Sequence, residues 1–121
     1  MSVLRCVDAD RTFAAFTGVP LTRERYNVVE EVLRERHAQD VKWGEQNHPD
    51  GTGPQYAGHA DGARSECDRE HRAGRGTWRH ILQEEVWEAL AEEDPAKLRA
   101  ELLQVAAVAA AWVEAIDRRE S

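Results

Sequence analysis

TWRHILQEEVWEALAEED (77–94) runs directly into PAKLRAELLQVAAVAAAWVEAIDRR (95–119), and the reading of these two segments decides the fold. In the first, Ile81, Leu82, Val86, Ala89 and Leu90 recur at helical spacing, and Thr77 after Gly76 supplies an N-cap. In the second, Leu98, Leu102, Val105, Ala109, Trp112, Val113 and Ile116 form the apolar stripe, with Arg118 and Arg119 at the negative end of the helix dipole. Asp94-Pro95 divides them: an Asp side chain accepts from the free amides of a new helix, and Pro at its first position forfeits no hydrogen bond. Only a tight turn fits between the segments, so the pattern predicts an antiparallel helical hairpin. No strand-like alternation stands out elsewhere, and the fold class is all-α.

Upstream, Tyr26, Val29, Leu33 and His37 repeat at helical spacing behind Thr22, predicting a helix over 22–43 that Gly44 and His48-Pro49-Asp50-Gly51 stop. Residues 1–21 fit neither period and read as an N-terminal arm that sets Phe13 and Phe16 on a neighbour. Between 51 and 76 lie Gly51, Gly53, Gly58, Gly62, Gly74 and Gly76, six of the chain's eight glycines, with Tyr56 as the sole large apolar side chain. That stretch reads as a Gly-rich loop or lid inside a helical domain over 22–119, with room for a short helix over 62–73. Arg64, Arg69, Arg72 and Arg75 stud its second half, which is either a solvated loop or a basic lid over an anion.

At 121 residues the chain is one domain, and three helices leave much apolar surface, so a homodimer or homotetramer is expected to complete the core. The balance of 16 Lys and Arg against 23 Asp and Glu, a net charge of −7, argues against a nucleic-acid polymer as partner. An anionic ligand would need divalent cations to bridge it to so acidic a chain. Cys6 and Cys67 do not read as a disulfide framework, and no secretion signal is expected in the charged stretch MSVLRCVDADR. The longest apolar run, VAAVAAAWV (105–113), is too short to span a bilayer, so the expected location is the cytoplasm, with no membrane partner.

The chemistry concentrates in the carboxylates. Glu85 and Glu88 are three apart on one helix with Glu84 one step round, and Glu101 and Gln104 are three apart on the next. In a hairpin turning near Asp94, Glu88 and Glu101 reach the same height. Oxygens converging from two helices suit Mg²⁺, which takes oxygen ligands octahedrally and leaves places for water or phosphate. The competing reading is a solvated acidic face. Against it, Ile81 and Ala89 flank Glu85, and Leu98 and Val105 flank Glu101, so both abut the apolar stripe, where an unpartnered carboxylate must raise its pKa or find a cation.

Glu84-Glu85-Val86-Trp87-Glu88, then twelve residues, then Glu101-Leu102-Leu103-Gln104, resembles the EExxE and ExxD signature of the all-α NTP pyrophosphohydrolase superfamily, the MazG-like, dUTPase and dCTPase group. Lys42-Trp43-Gly44-Glu45-Gln46-Asn47-His48-Pro49 resembles the tryptophan segment that precedes the acidic helices there and helps form the nucleotide pocket. The resemblance covers about 22–118 and is strongest to the small MazG-like proteins of actinobacteria and their phages. It implies a helical bundle completed by oligomerisation, and hydrolysis of an NTP or dNTP between the α and β phosphates to the monophosphate and pyrophosphate with Mg²⁺, Mn²⁺ being a substitute. By that resemblance Glu85, Glu88 and Glu101 would be metal ligands, and Glu84 would support the site or position the attacking water. Gln104 departs from the pattern, standing where the family has Asp; it keeps a carbonyl oxygen that can still ligate but lacks a charge, which opens a non-catalytic nucleotide-binding or oligomeric module as the alternative.

Around these, Trp43 could stack on a base and Lys42 meet a phosphate, against a plain reading of Trp43 as a core residue at a helix end. His37, a turn and a half before Trp43, can reach the same pocket or lie on a solvated face. Arg75 and Arg79 flank the N-terminus of the acidic helix, where backbone amides favour anions, and are candidate phosphate contacts. Trp78, Trp87 and Trp112 read as packing residues. A zinc site on Cys67 and His71 with His48 or His59 lacks the paired spacing of a closed zinc centre.

Overall fold

The computed structural model describes residues 18–120, and Phe13, Phe16 and Cys6 of the expected arm lie outside them. The described residues form four α-helices and a single 3₁₀ turn, with no strand: α1 (Arg23–Trp43), the turn Pro54–Tyr56, α2 (Ala57–Arg72), α3 (Trp78–Leu90) and α4 (Pro95–Glu120). The chain divides into two compact units; one is His48–Trp112, and the described residues of the other are 18–47 and 113–120.

The helix starts follow from local chemistry. Thr22 caps α1, its side chain accepting from the Arg25 amide at 3.2 Å. Thr77 caps α3 in a reciprocal box: the His80 amide donates to Thr77 Oγ1, and the Thr77 amide donates to His80 Nδ1 at 3.0 Å. Asp94 caps α4, its carboxylate accepting from the Lys97 amide at 3.0 Å. Helix α2 ends in a left-handed Gly74 (φ 78°), with the Arg75 amide bonded to the Glu70 carbonyl at 2.7 Å and the Gly74 amide to the His71 carbonyl at 3.1 Å, a Schellman arrangement.

The stretch 51–76, expected as a loop or lid, therefore carries a full 16-residue helix, longer than the short one allowed over 62–73. Its buried positions are Ala60 and Cys67, with Ala63 half-buried between them, and small side chains let α2 lie close to α3, where Ala89 is buried. Side-chain pairs fix the direction: Tyr56 and His59 meet Trp87, while Glu66 meets His80, so α2 and α3 are antiparallel. Helices α3 and α4 are antiparallel too, because Trp78 at the start of α3 stacks on Trp112 far along α4, with centroids 6.3 Å apart. Thr52 Oγ1 donates to the Glu92 carbonyl at 2.6 Å and the Gly53 amide to the Leu90 carbonyl at 2.9 Å, tying the segment before α2 to the turn after α3.

In the other unit, Val28 is buried on α1, and Glu114, also buried, meets Arg25 at 3.5 Å. Most of the rest of α1 is exposed, and it carries ion pairs one turn apart, Glu30 with Arg34 and Asp40 with Arg36. Several side chains expected to face inward do not: Val29 and Leu33 on α1, and Leu102, Ala109 and Val113 on α4, are exposed.

Candidate metal centre

Glu85, Glu88 and Glu101 converge: each offers a carboxylate oxygen within 4.8 Å of the other two, and all three are half-buried. Helix α3 presents Glu85 and Glu88 one turn apart near its C-terminal end, and the tight turn to α4 sets Glu101 at their height. An octahedral Mg²⁺ with oxygens at about 2.1 Å spans about 4.2 Å across, so small side-chain rotations close this triad on an ion. A hard cation suits an all-carboxylate donor set, and among the described residues this is the group of three acidic, His or Cys side chains that meets on one point.

Burial pushes the Glu85 carboxyl above the usual carboxylate range, and the charges of Glu88, Glu101 and Glu84 add to the shift. Neither Glu85 nor Glu101 has a basic side chain paired with it among the described ion pairs, in keeping with two acids abutting an apolar stripe.

Glu84 faces the other way, toward α2. It lies 3.9 Å from Arg64 Nε and beside the Cys67 thiol, on which its charge acts. Burial, and then that neighbouring carboxylate, raise the Cys67 thiol to about 11, so it stays protonated. Glu88 stands where the two faces meet: it shares the acidic triad and also takes the Arg64 guanidinium on Oε1, 2.9 Å from Nη2 and 3.2 Å from Nε. Gln104, one turn beyond Glu101, is exposed.

Two of the expected substrate-binding residues, Arg75 and Arg79, are paired elsewhere in the unit that holds the carboxylates. Arg79 bonds Gln83 at 2.7 Å, and Arg75 bonds Glu70 at 2.8 Å, which holds the Glu70 carboxyl below its usual range. At about 1.5 Å of rise per residue, Arg79 and Glu88 lie roughly 13 Å apart along α3. His37, Lys42 and Trp43 belong to the other unit, all exposed, with Lys42 Nζ 4.9 Å above the ring of its own neighbour Trp43. Trp78, Trp87 and Trp112, expected as packing residues, are half-buried, Trp87 stacking on His59 at 4.5 Å. The Cys67 and His71 pair is a local helix contact, His71 Nδ1 lying 2.9 Å from the Cys67 carbonyl.

The sequence offers Arg64 as one arginine of a basic lid and Cys67 as a weak zinc candidate, but not their places beside Glu88 and Glu84. The signal was present as an arginine-studded stretch, but linking Arg64 to Glu88 requires the register of α2 on α3. No family model, curated protein or solved structure matches the chain.

Proposed function

We propose that the chain is a Mg²⁺-dependent nucleoside triphosphate pyrophosphohydrolase, converting an NTP or dNTP to its monophosphate and pyrophosphate. The observation that carries this reading is the convergence of Glu85, Glu88 and Glu101 from two helices on one point, with the charged form of Glu85 disfavoured unless a cation joins it. The order of motifs resembling the MazG-like group supports it. When bound, Mg²⁺ would neutralise the triphosphate and polarise the anhydride to be cleaved.

The residues divide the remaining work. Glu85, Glu88 and Glu101 would hold the cation. Glu84, adjacent in sequence but turned toward α2, would support the site or position the attacking water, a role drawn from the resemblance. His37, Lys42, Trp43, Arg75 and Arg79 remain substrate-contact assignments drawn from the resemblance and from charge. The exposed apolar side chains Val29, Val32 and Leu33 support completion of the core by a second copy.

Gln104 favours a second reading, a helical module that binds nucleotide without cleaving it. Pyrophosphate release measured over the common NTPs and dNTPs with Mg²⁺ or Mn²⁺ separates the two. Release by the wild type, falling at least about a hundredfold in Glu88→Gln, is the expected outcome. No release above that variant would leave the non-catalytic module.

A further inference from the structure

We propose that Arg64 is the internal counter-cation of the carboxylate group: it holds Glu88 while no divalent cation is bound, yields it to the cation, and then receives the phosphates of the substrate. The inference rests on the metal-dependent reading above.

Four observations lead to it. Both Arg64 Nη2 and Nε bond the same oxygen of Glu88, the residue that also belongs to the converging triad, so Arg64 and a divalent ion compete for one carboxylate. The Arg64 side chain is 52% exposed while that of Glu88 is 22% exposed, so the arginine is the member free to swing away. Asp61 at 3.8 Å and Glu84 at 3.9 Å also face the guanidinium, leaving one positive charge among three carboxylates. Finally, Arg64 lines a cleft of about 260 Å³ with Asp61, Glu88, Glu92 and Glu101, and it is the basic side chain among those that line it.

A half-exposed ion pair is worth only a few-fold in an equilibrium, so an incoming cation displaces it at small cost. Once displaced from Glu88, the guanidinium stays tethered at the cleft, and its fork of donors matches phosphate oxygens. Binding of the cation and binding of the anion are then coupled through one side chain. Arg64 acts through Glu88 in the first step and touches the substrate in the second.

The full-length chain tests this by calorimetry with Mn²⁺ alone, and with inorganic tripolyphosphate in the presence of Mg²⁺. Arg64→Gln is expected to bind Mn²⁺ about threefold more tightly and tripolyphosphate about tenfold more weakly. Arg64→Lys, which keeps the charge and guards against loss of fold in the first variant, should fall between it and the wild type on both. Shifts of opposite sign are not what general loosening of the fold would produce. If the two affinities move together, or either stays put, while Glu88→Gln still weakens Mn²⁺ binding, Arg64 does not have this role. If Glu88→Gln leaves Mn²⁺ binding unchanged, the metal-dependent reading has failed and the inference falls with it.

Discussion

Glu85 carries the clearest electrostatic strain in the chain. Its folded pKa lies above the ordinary value of 4.5, chiefly through burial and then through three neighbouring carboxylates. A carboxyl raised in this way contributes stability that is fully present below its unfolded pKa and is lost as pH rises through the folded pKa. The metal-free chain should therefore lose stability relative to Glu85→Gln as pH climbs from about 4.5 toward neutrality. At pH 7 the variant should be the more stable by roughly 0.5 kcal/mol, the scale of like-charge pairs on a helix. Urea melts with chelator across that pH range check this, and added Mg²⁺ should reverse the order. A pH-independent difference would mean that the surroundings of Glu85 do not raise its pKa. Gln104, exposed one turn beyond Glu101, is the second residue to test. Gln104→Asp should bind Mg²⁺ more tightly without loss of turnover, and weaker binding by calorimetry would remove Gln104 from the neighbourhood of the ion.

At the scale of elements, α2 is the piece on which the surroundings of Glu84 and Glu88 depend, since it delivers both Arg64 and Cys67. Its C-terminus relies on Gly74 at φ 78°, a conformation that a side chain makes costly. Gly74→Ala should cost about 1 kcal/mol in denaturant unfolding, because two carbonyl-capping bonds depend on that backbone turn. An unchanged midpoint would show that the end of α2 frays without consequence. The other helix boundaries were legible in advance, because caps are local: Thr22, Thr77 and Asp94-Pro95 need only their own amides within three residues. Helix α2 was not legible as a full helix. Its buried face is Ala60, Ala63 and Cys67, and Gly58 and Gly62 lie within it, so neither hydrophobic periodicity nor propensity marks it. What stabilises it is close packing on α3, a tertiary effect.

Across the whole molecule, the buried apolar set among the described residues is small: Leu21, Val28, Ala60, Cys67, Ala89 and Leu98. Val32 and Leu33 on α1 are 52% and 63% exposed, a poor use of apolar side chains for an isolated chain. We expect sedimentation equilibrium to report a dimer or tetramer at micromolar concentration. Leu33→Glu should shift it toward monomer while leaving helix content by circular dichroism intact. A wild type that sediments as a monomer would overturn the expectation that a second copy completes the core. No described helix is long and apolar enough to cross a membrane.

The sequence by itself determined the all-α class, the starts of α1, α3 and α4, and the pairing of Glu88 with Glu101 in height across a tight hairpin. These follow from backbone capping and from the 3.6-residue period, both set by neighbours in the chain. Only the tertiary structure decided that 57–72 is helical, that Glu84 turns toward Cys67 and Arg64 while Glu85 turns toward Glu101, and that Arg64 occupies Glu88. Each of those depends on the antiparallel register of α2 on α3. That register is chosen by small side chains fitting closely together, which carry almost no periodic signal of their own.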